Sequence, residues 1–166
     1  MEVCGVDPGL GVTGYAVLAI DGAHVIIRDA GVCRTDEKMR LGDRLAQLEF
    51  DFSEIIEQWR PAVVGVEQLF SHYKHPRTAV LMGHARGIIL LAAARRGVRV
   101  VDLSATQVKR YMTGNGRASK AQMQRAVTAR LRLRQAPEPT DVSDALAIAL
   151  CCGADVARVR PEAVAG

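Results

Sequence analysis

No two cysteines in this sequence stand in the C-x-x-C spacing of a zinc site. Cys4, Cys33, Cys151 and Cys152 also show no disulfide framework. Cys151 and Cys152 are neighbours on a predicted helix and point in different directions, so the four thiols read as small buried side chains in a reducing cytoplasm. No uninterrupted apolar run is long enough to span a bilayer. The N-terminus lacks the basic region, apolar stretch and small-residue cleavage site of a secretory signal. Internal repeats, low-complexity tracts and linkers are missing too. A single domain over residues 1–158 is therefore expected, with 159–166 a frayed C-terminal tail, in a cytoplasmic protein with no membrane partner.

Acids are scarce in one long stretch. Between Arg95 and Gln135 there are eleven Lys and Arg, including Lys109, Arg117 and Lys120, against Asp102 alone, a net +10. The other eleven basic and seventeen acidic residues leave −6 for the remainder of the chain. Solvated helix faces would account for part of this, but such asymmetry favours a polyanionic partner, because clustered cations gain affinity by displacing counterions from phosphates.

Alternation and turn residues predict strands over 2–7 and 12–20 around PGLG, and a third over 24–33. Leu41, Leu45, Leu48, Phe52, Ile55, Ile56 and Trp59 recur at threes and fours, predicting an amphipathic helix that Pro61 ends. AVVGVE (62–67) reads as a strand apolar on both faces, and 77–96 as a long helix followed by the strand 98–103. Ser104 caps a short helix to about Met112, TGNGRAS (113–119) is a loop, and 120–131 is helical. Thr140 is expected to cap a last helix that Gly153 closes. Three leading strands followed by alternating strands and helices give an α/β fold, a mixed sheet with helices on both faces.

Asp7 sits at the tip of the first strand, before Pro8-Gly9, where ordinary turn chemistry would account for it. Glu67 ends AVVGVE in the same way. Ligands of open α/β sheets bind beyond the carboxyl ends of the central strands, so two strand-tip acids on adjacent parallel strands would meet there. Asp141 and Asp144, at i and i+3, share one face of the last helix's first turn. Acids at a helix N-terminus also stabilise it, which covers Asp141 well and Asp144 less well. Four crowded carboxylates raise one another's pKa unless cations compensate, and an all-oxygen set suits Mg²⁺ or Mn²⁺. Beside a +10 segment, this is the pattern of a metal-dependent nuclease acting at phosphorus.

GVDPGLGVTGYAV (5–17), VEQLF (66–70), LMGHARG (81–87), TQVKRYMTGNGRASKAQMQ (106–124) and DVSDALAIAL (141–150) together resemble the RuvC family. These are bacterial Holliday junction resolvases with an RNase H-like fold. The resemblance implies a five-stranded mixed sheet with helices on both faces and catalytic, metal-binding roles for Asp7, Glu67, Asp141 and Asp144, with two ions of Mg²⁺ or Mn²⁺. It places Lys109 and Lys120 beside the active site and lends Phe70 the role of an aromatic wedge in an opened junction. Lys74, Arg77, Arg86 and Arg117 are read as further DNA contacts. The loop SHYKHPRT (71–78) is about one residue longer than the family's usual spacing, and its His72 and His75 read as phosphate contacts. A homodimer making paired symmetric nicks in four-way junctions, during recombination and repair, and contact with the RuvA–RuvB branch-migration complex are also implied. The helix 81–94, apolar around nearly its whole circumference with Gly83 and Gly87, is either buried in the monomer or packed on a second subunit. Three alternatives stay open: a silent junction-binding relative, which the four acids disfavour; a nuclease acting on RNA; and a sugar-kinase or actin-like relative, since DPGLGVTG resembles their phosphate hairpin. The last needs two lobes where this length supplies one.

Overall fold

The computed structural model describes residues 1–69 and 76–159. Five strands form one mixed sheet: β1 (Glu2–Asp7), β2 (Val12–Asp21), β3 (His24–Arg34), β4 (Val63–Glu67) and β5 (Arg99–Leu103), in the order β3-β2-β1-β4-β5. The first three strands are antiparallel, and β1 then pairs parallel with β4, and β4 with β5. This is the RNase H-like arrangement, with helices on both faces.

Alternation along β1 divides the core. Val3 faces the layer of α3 (Ala105–Thr113), α4 (Lys120–Arg130) and α5 (Thr140–Val159), while Cys4 and Val6 face α1 (Leu41–Trp59) and α2 (Pro76–Arg95). Phe52, Leu48 and Ile56 fill the second layer from the apolar stripe of α1. That helix stops where Arg60 turns left-handed, its N–H donating to the Ile56 carbonyl, directly before Pro61.

Local sequence explains the starts of the shorter helices. Ser104 accepts from the Gln107 N–H at the head of α3, and Gly114 ends that helix with φ +75°. Ser119 and Gln122 form a reciprocal capping box on α4.

Two expectations about the last helix are corrected. It begins at Thr140 itself, and it does not close at Gly153 but runs on to Val159. Gly153 is there for space: the Ile20 side chain of β2 packs where a Cβ would stand. Of α2, Ala85, Ile89, Ala92 and Ala93 are buried, whereas Val80 and Leu91 are exposed and nothing lies within 4 Å of the place a Gly87 Cβ would take. By length and composition alone α2 is apolar enough to cross a membrane, although its inner stripe packs on the sheet and α1. Residues 71–75 of the lengthened loop, with His72, Tyr73, Lys74 and His75, fall outside the described residues, as do Phe70 and most of the tail.

Candidate active site

Parallel pairing of β1 with β4 sets Val6 beside Val66, so the next residues, Asp7 and Glu67, end neighbouring strands at the same edge. Beyond Asp7 the chain turns back under tight control. The Thr13 hydroxyl donates to the Gly9 carbonyl at 2.6 Å and accepts from the Gly9 N–H at 3.3 Å. Beyond Glu67, the Gln68 N–H donates to the Leu103 carbonyl of β5 at 2.9 Å, which continues the ladder past the acid.

The other two acids arrive on α5, which crosses the sheet over three glycines. A Cβ on Gly14 of β2 would stand 2.6 Å from the Asp141 carbonyl carbon, one on Gly5 of β1 2.8 Å from the Ala149 Cα, and one on Gly65 of β4 2.7 Å from the Cys152 Cβ. With glycine at these three positions, the helix lies against the sheet backbone. Asp7 and Gly14 are register partners across β1 and β2, so the contact between Gly14 and Asp141 brings the first turn of α5 to Asp7.

Electrostatics record the crowding. Burial, and then the charges of Glu67, Asp144 and Asp141, push the Asp7 carboxyl up to about 7, with Lys120 pulling the other way. Glu67 is raised by burial and by Asp144, against Lys109. Asp144 is raised by burial, with Lys120 and Lys109 opposing and Asp141 adding to the rise. Lys109 projects from α3 and Lys120 opens α4. Together with Glu67, Asp144, Val108 and Met123 they line a cleft of about 170 Å³.

Among the described residues, no three His, Cys, Asp or Glu side chains are gathered tightly enough to cage a metal by themselves. The donor set still suits a hard cation. It is all oxygen, its members are unfavourably charged together, and Mg²⁺ characteristically takes one or two carboxylates and completes its shell with water and substrate phosphate.

The remaining expected contacts are spread out. Arg77 and Arg117 are exposed, Arg77 in the first turn of α2 and Arg117 in the loop before α4. Arg86 pairs with Asp102 of β5, tying α2 to the sheet. Part of the basic segment is likewise compensated within the fold: Arg95 pairs with Glu49, and Arg96 with Glu57. Sequence reasoning passed over Gly14 and Arg44. The first has no signal apart from being a glycine in a strand, and Arg44 looks like any cation on a helix surface.

Comparison with known proteins places this architecture. Residues 3–152 match the family model described as crossover junction endodeoxyribonuclease RuvC. The protein of that name from Rhodopirellula baltica is 50% identical over 149 residues, covering 90% of this chain and 84% of the relative. Its counterpart from Ruminiclostridium cellulolyticum is 40% identical, with 92% of each chain covered. The Thermus thermophilus RuvC structure superposes with a TM-score of 0.86 at 33% identity, covering 96% of each chain. The structure of T. thermophilus RuvC in complex with Holliday junction substrate does so with 0.88 at 32%, again over 96% of each. With a family model matched over residues 3–152 and relatives 40–50% identical over nine-tenths of its length, the chain belongs to the RuvC family of crossover junction endodeoxyribonucleases.

Proposed function

We propose that this protein is a structure-specific endodeoxyribonuclease that resolves four-way Holliday junctions by paired symmetric nicks, in homologous recombination and DNA repair in the cytoplasm. The convergence of Asp7, Glu67, Asp141 and Asp144, from two strand tips and one helix, carries this reading. In it these four acids hold two divalent cations, Mg²⁺ or Mn²⁺. Such ions would supply the charge that activates an attacking water and steadies the leaving oxygen in an in-line displacement. The protein's own part is positional. The carboxylates orient the site, and Lys109 and Lys120 offer donors toward the phosphate that enters beside Glu67 and Asp144. Arg77 and Arg117, both exposed, extend the cationic surface, and Lys74 and Phe70 are assigned to the same interface. Arg86, which pairs with Asp102, is assigned to the same interface.

A homodimer fits both substrate and surface. A two-fold junction needs two equivalent sites for like strands. The outward side of α2, with Val80 59% and Leu91 42% exposed and Gly87 open, is a face that a second subunit would cover. Contact with the RuvA–RuvB branch-migration complex belongs to the same reading and is supported by family membership.

One gel tests the activity. End-labelled mobile junction, linear duplex and RNA–DNA hybrid are each incubated with Mg²⁺, Mn²⁺ or EDTA. Symmetric nicks in the junction alone, in either metal and not in EDTA, are expected. Preferential cutting of the hybrid would replace this reading with an RNA-directed nuclease, and junction binding without any nicks would leave a binding protein.

A further inference from the structure

Arg44 sits badly by every local rule. It lies in the opening turn of α1, where the helix dipole disfavours a cation. It is 9% exposed, yet no carboxylate among the described residues comes within 4.0 Å of it. Burying a charge with no counter-charge is costly, and sequences shed such groups unless something offsets the cost.

Its surroundings are ordered. The Arg44 Nε donates to the Thr35 hydroxyl at 3.0 Å, and that hydroxyl donates in turn to the Leu10 carbonyl. The Thr35 N–H donates to the Gly11 carbonyl at 3.1 Å. Arg44 is thus fastened through Thr35 to the turn between β1 and β2, which begins directly after Asp7. A Cβ at Gly11 would lie 4.0 Å from an Arg44 terminal nitrogen and 3.7 Å from the Glu37 carboxylate, so the guanidinium lies against that turn. Neither terminal nitrogen has a protein acceptor among the described residues, and neither is among the fully buried unsatisfied atoms. One edge of the fork is held by Thr35, while the terminal nitrogens lie by the β1–β2 turn without an acceptor among the described residues.

We propose that Arg44 is a phosphate-contacting residue: Thr35 fixes its Nε, and its terminal nitrogens grip a backbone phosphate of the DNA strand that passes over the β1–β2 turn. Glu37 stands across the turn without pairing, and the substrate supplies the direct counter-charge that no carboxylate within 4.0 Å provides. Arginine suits the task because its planar fork keeps its charge and grips phosphate through parallel N–H donors. A fork pre-set by Thr35 loses little conformational freedom on binding. Phosphate contacts of this kind set the register of the strand without reading its bases. The inference rests on the junction-binding reading above.

The test compares Arg44→Met with the unaltered protein. Methionine fills the buried channel with an unbranched apolar chain, so the melting temperature is expected to stay within a few degrees of the original. Junction affinity is measured by fluorescence anisotropy in EDTA between 50 and 200 mM salt. The log–log salt slope of the variant should be shallower by about 0.9, so that its affinity falls about 3.5-fold less than the original's over that range. Thr35→Val, which keeps the cation and removes its holder, should keep the original slope while binding more weakly. An Arg44→Met protein that keeps the full slope, or that unfolds, overturns the proposal and makes Arg44 a structural clamp. If the unaltered protein does not bind junctions at all, it is the junction reading that fails.

Discussion

Gly14 and Asp141 touch backbone to backbone: a Cβ at Gly14 would stand 2.6 Å from the Asp141 carbonyl carbon and 3.0 Å from its Cβ. Because Gly14 is the register partner of Asp7, this contact sets how near the α5 acids approach the strand-tip acid. Gly14→Ala should push the head of α5 off the sheet, costing about 1–3 kcal/mol of stability. It should also raise the Mg²⁺ concentration needed for half-maximal cleavage. Thermal melts paired with metal titrations check both effects; an unchanged metal requirement would separate the contact from the site.

Asp7 carries a prediction about pH. Its carboxyl is raised to about 7 in the folded protein from an ordinary value near 3.8, so between those values the folded state binds more protons than the unfolded one. The contribution is therefore most favourable below pH 3.8, where both states are protonated, and declines as pH rises to about 7. Asp7→Asn removes this penalty. In EDTA at pH 8 it should raise stability by about 1–2 kcal/mol, or roughly 2–8 °C, with little gain at pH 4. Cleavage should vanish while junction binding persists or tightens, because the lost group repels phosphate. Melts at the two pH values and a binding gel decide.

On α5, Asp141→Asn is expected to slow cleavage less than Asp144→Asn. Asp144 is raised by its own burial and lies in the cleft with Glu67, Lys109 and Lys120, while Asp141 also serves the helix terminus. Single-turnover rates with both variants test the order, and equal complete loss would give both acids the same role.

Lys109→Ala and Lys120→Ala should each reduce cleavage. Each should also flatten the salt dependence of binding by about one log–log unit if its ammonium neutralises a phosphate in the bound complex. An unchanged slope with slowed single-turnover cleavage would confine these lysines to the scissile phosphate.

Phe70→Ala should slow junction cleavage strongly while leaving dimerisation intact, since an aromatic stacked in an opened step recovers roughly 1–3 kcal/mol per base. A base-analogue fluorophore at the crossover should brighten less with the variant. A weaker dimer and lower melting temperature with normal cleavage per dimer would make Phe70 a packing residue instead.

The strands and the adjacency of Asp7 and Glu67 are readable because a short apolar run ending in a carboxylate leaves few options for burial. The full strand order is set by pairings that no single segment records. Gly153 misled because glycine after a helical run commonly marks its end, and only the distant Ile20 side chain distinguishes packing from termination. Arg44 was invisible for a related reason. Its burial comes from the turn between β1 and β2 and from Thr35, partners that periodicity along α1 cannot register. The Ser119–Gln122 box, by contrast, is a local signal that the sequence carries in full, a serine followed three residues later by glutamine.

The acids come from positions 7, 67, 141 and 144, so the site has no local version. Synthesis must reach the final helix, and that helix must seat itself over Gly14, Gly5 and Gly65, before a fourth carboxylate joins the first. A ribosome-bound or C-terminally clipped chain therefore carries strand tips but not the full set of acids. The glycines of three strands thus decide, through the seating of one helix, whether acids more than seventy residues apart can share a ligand.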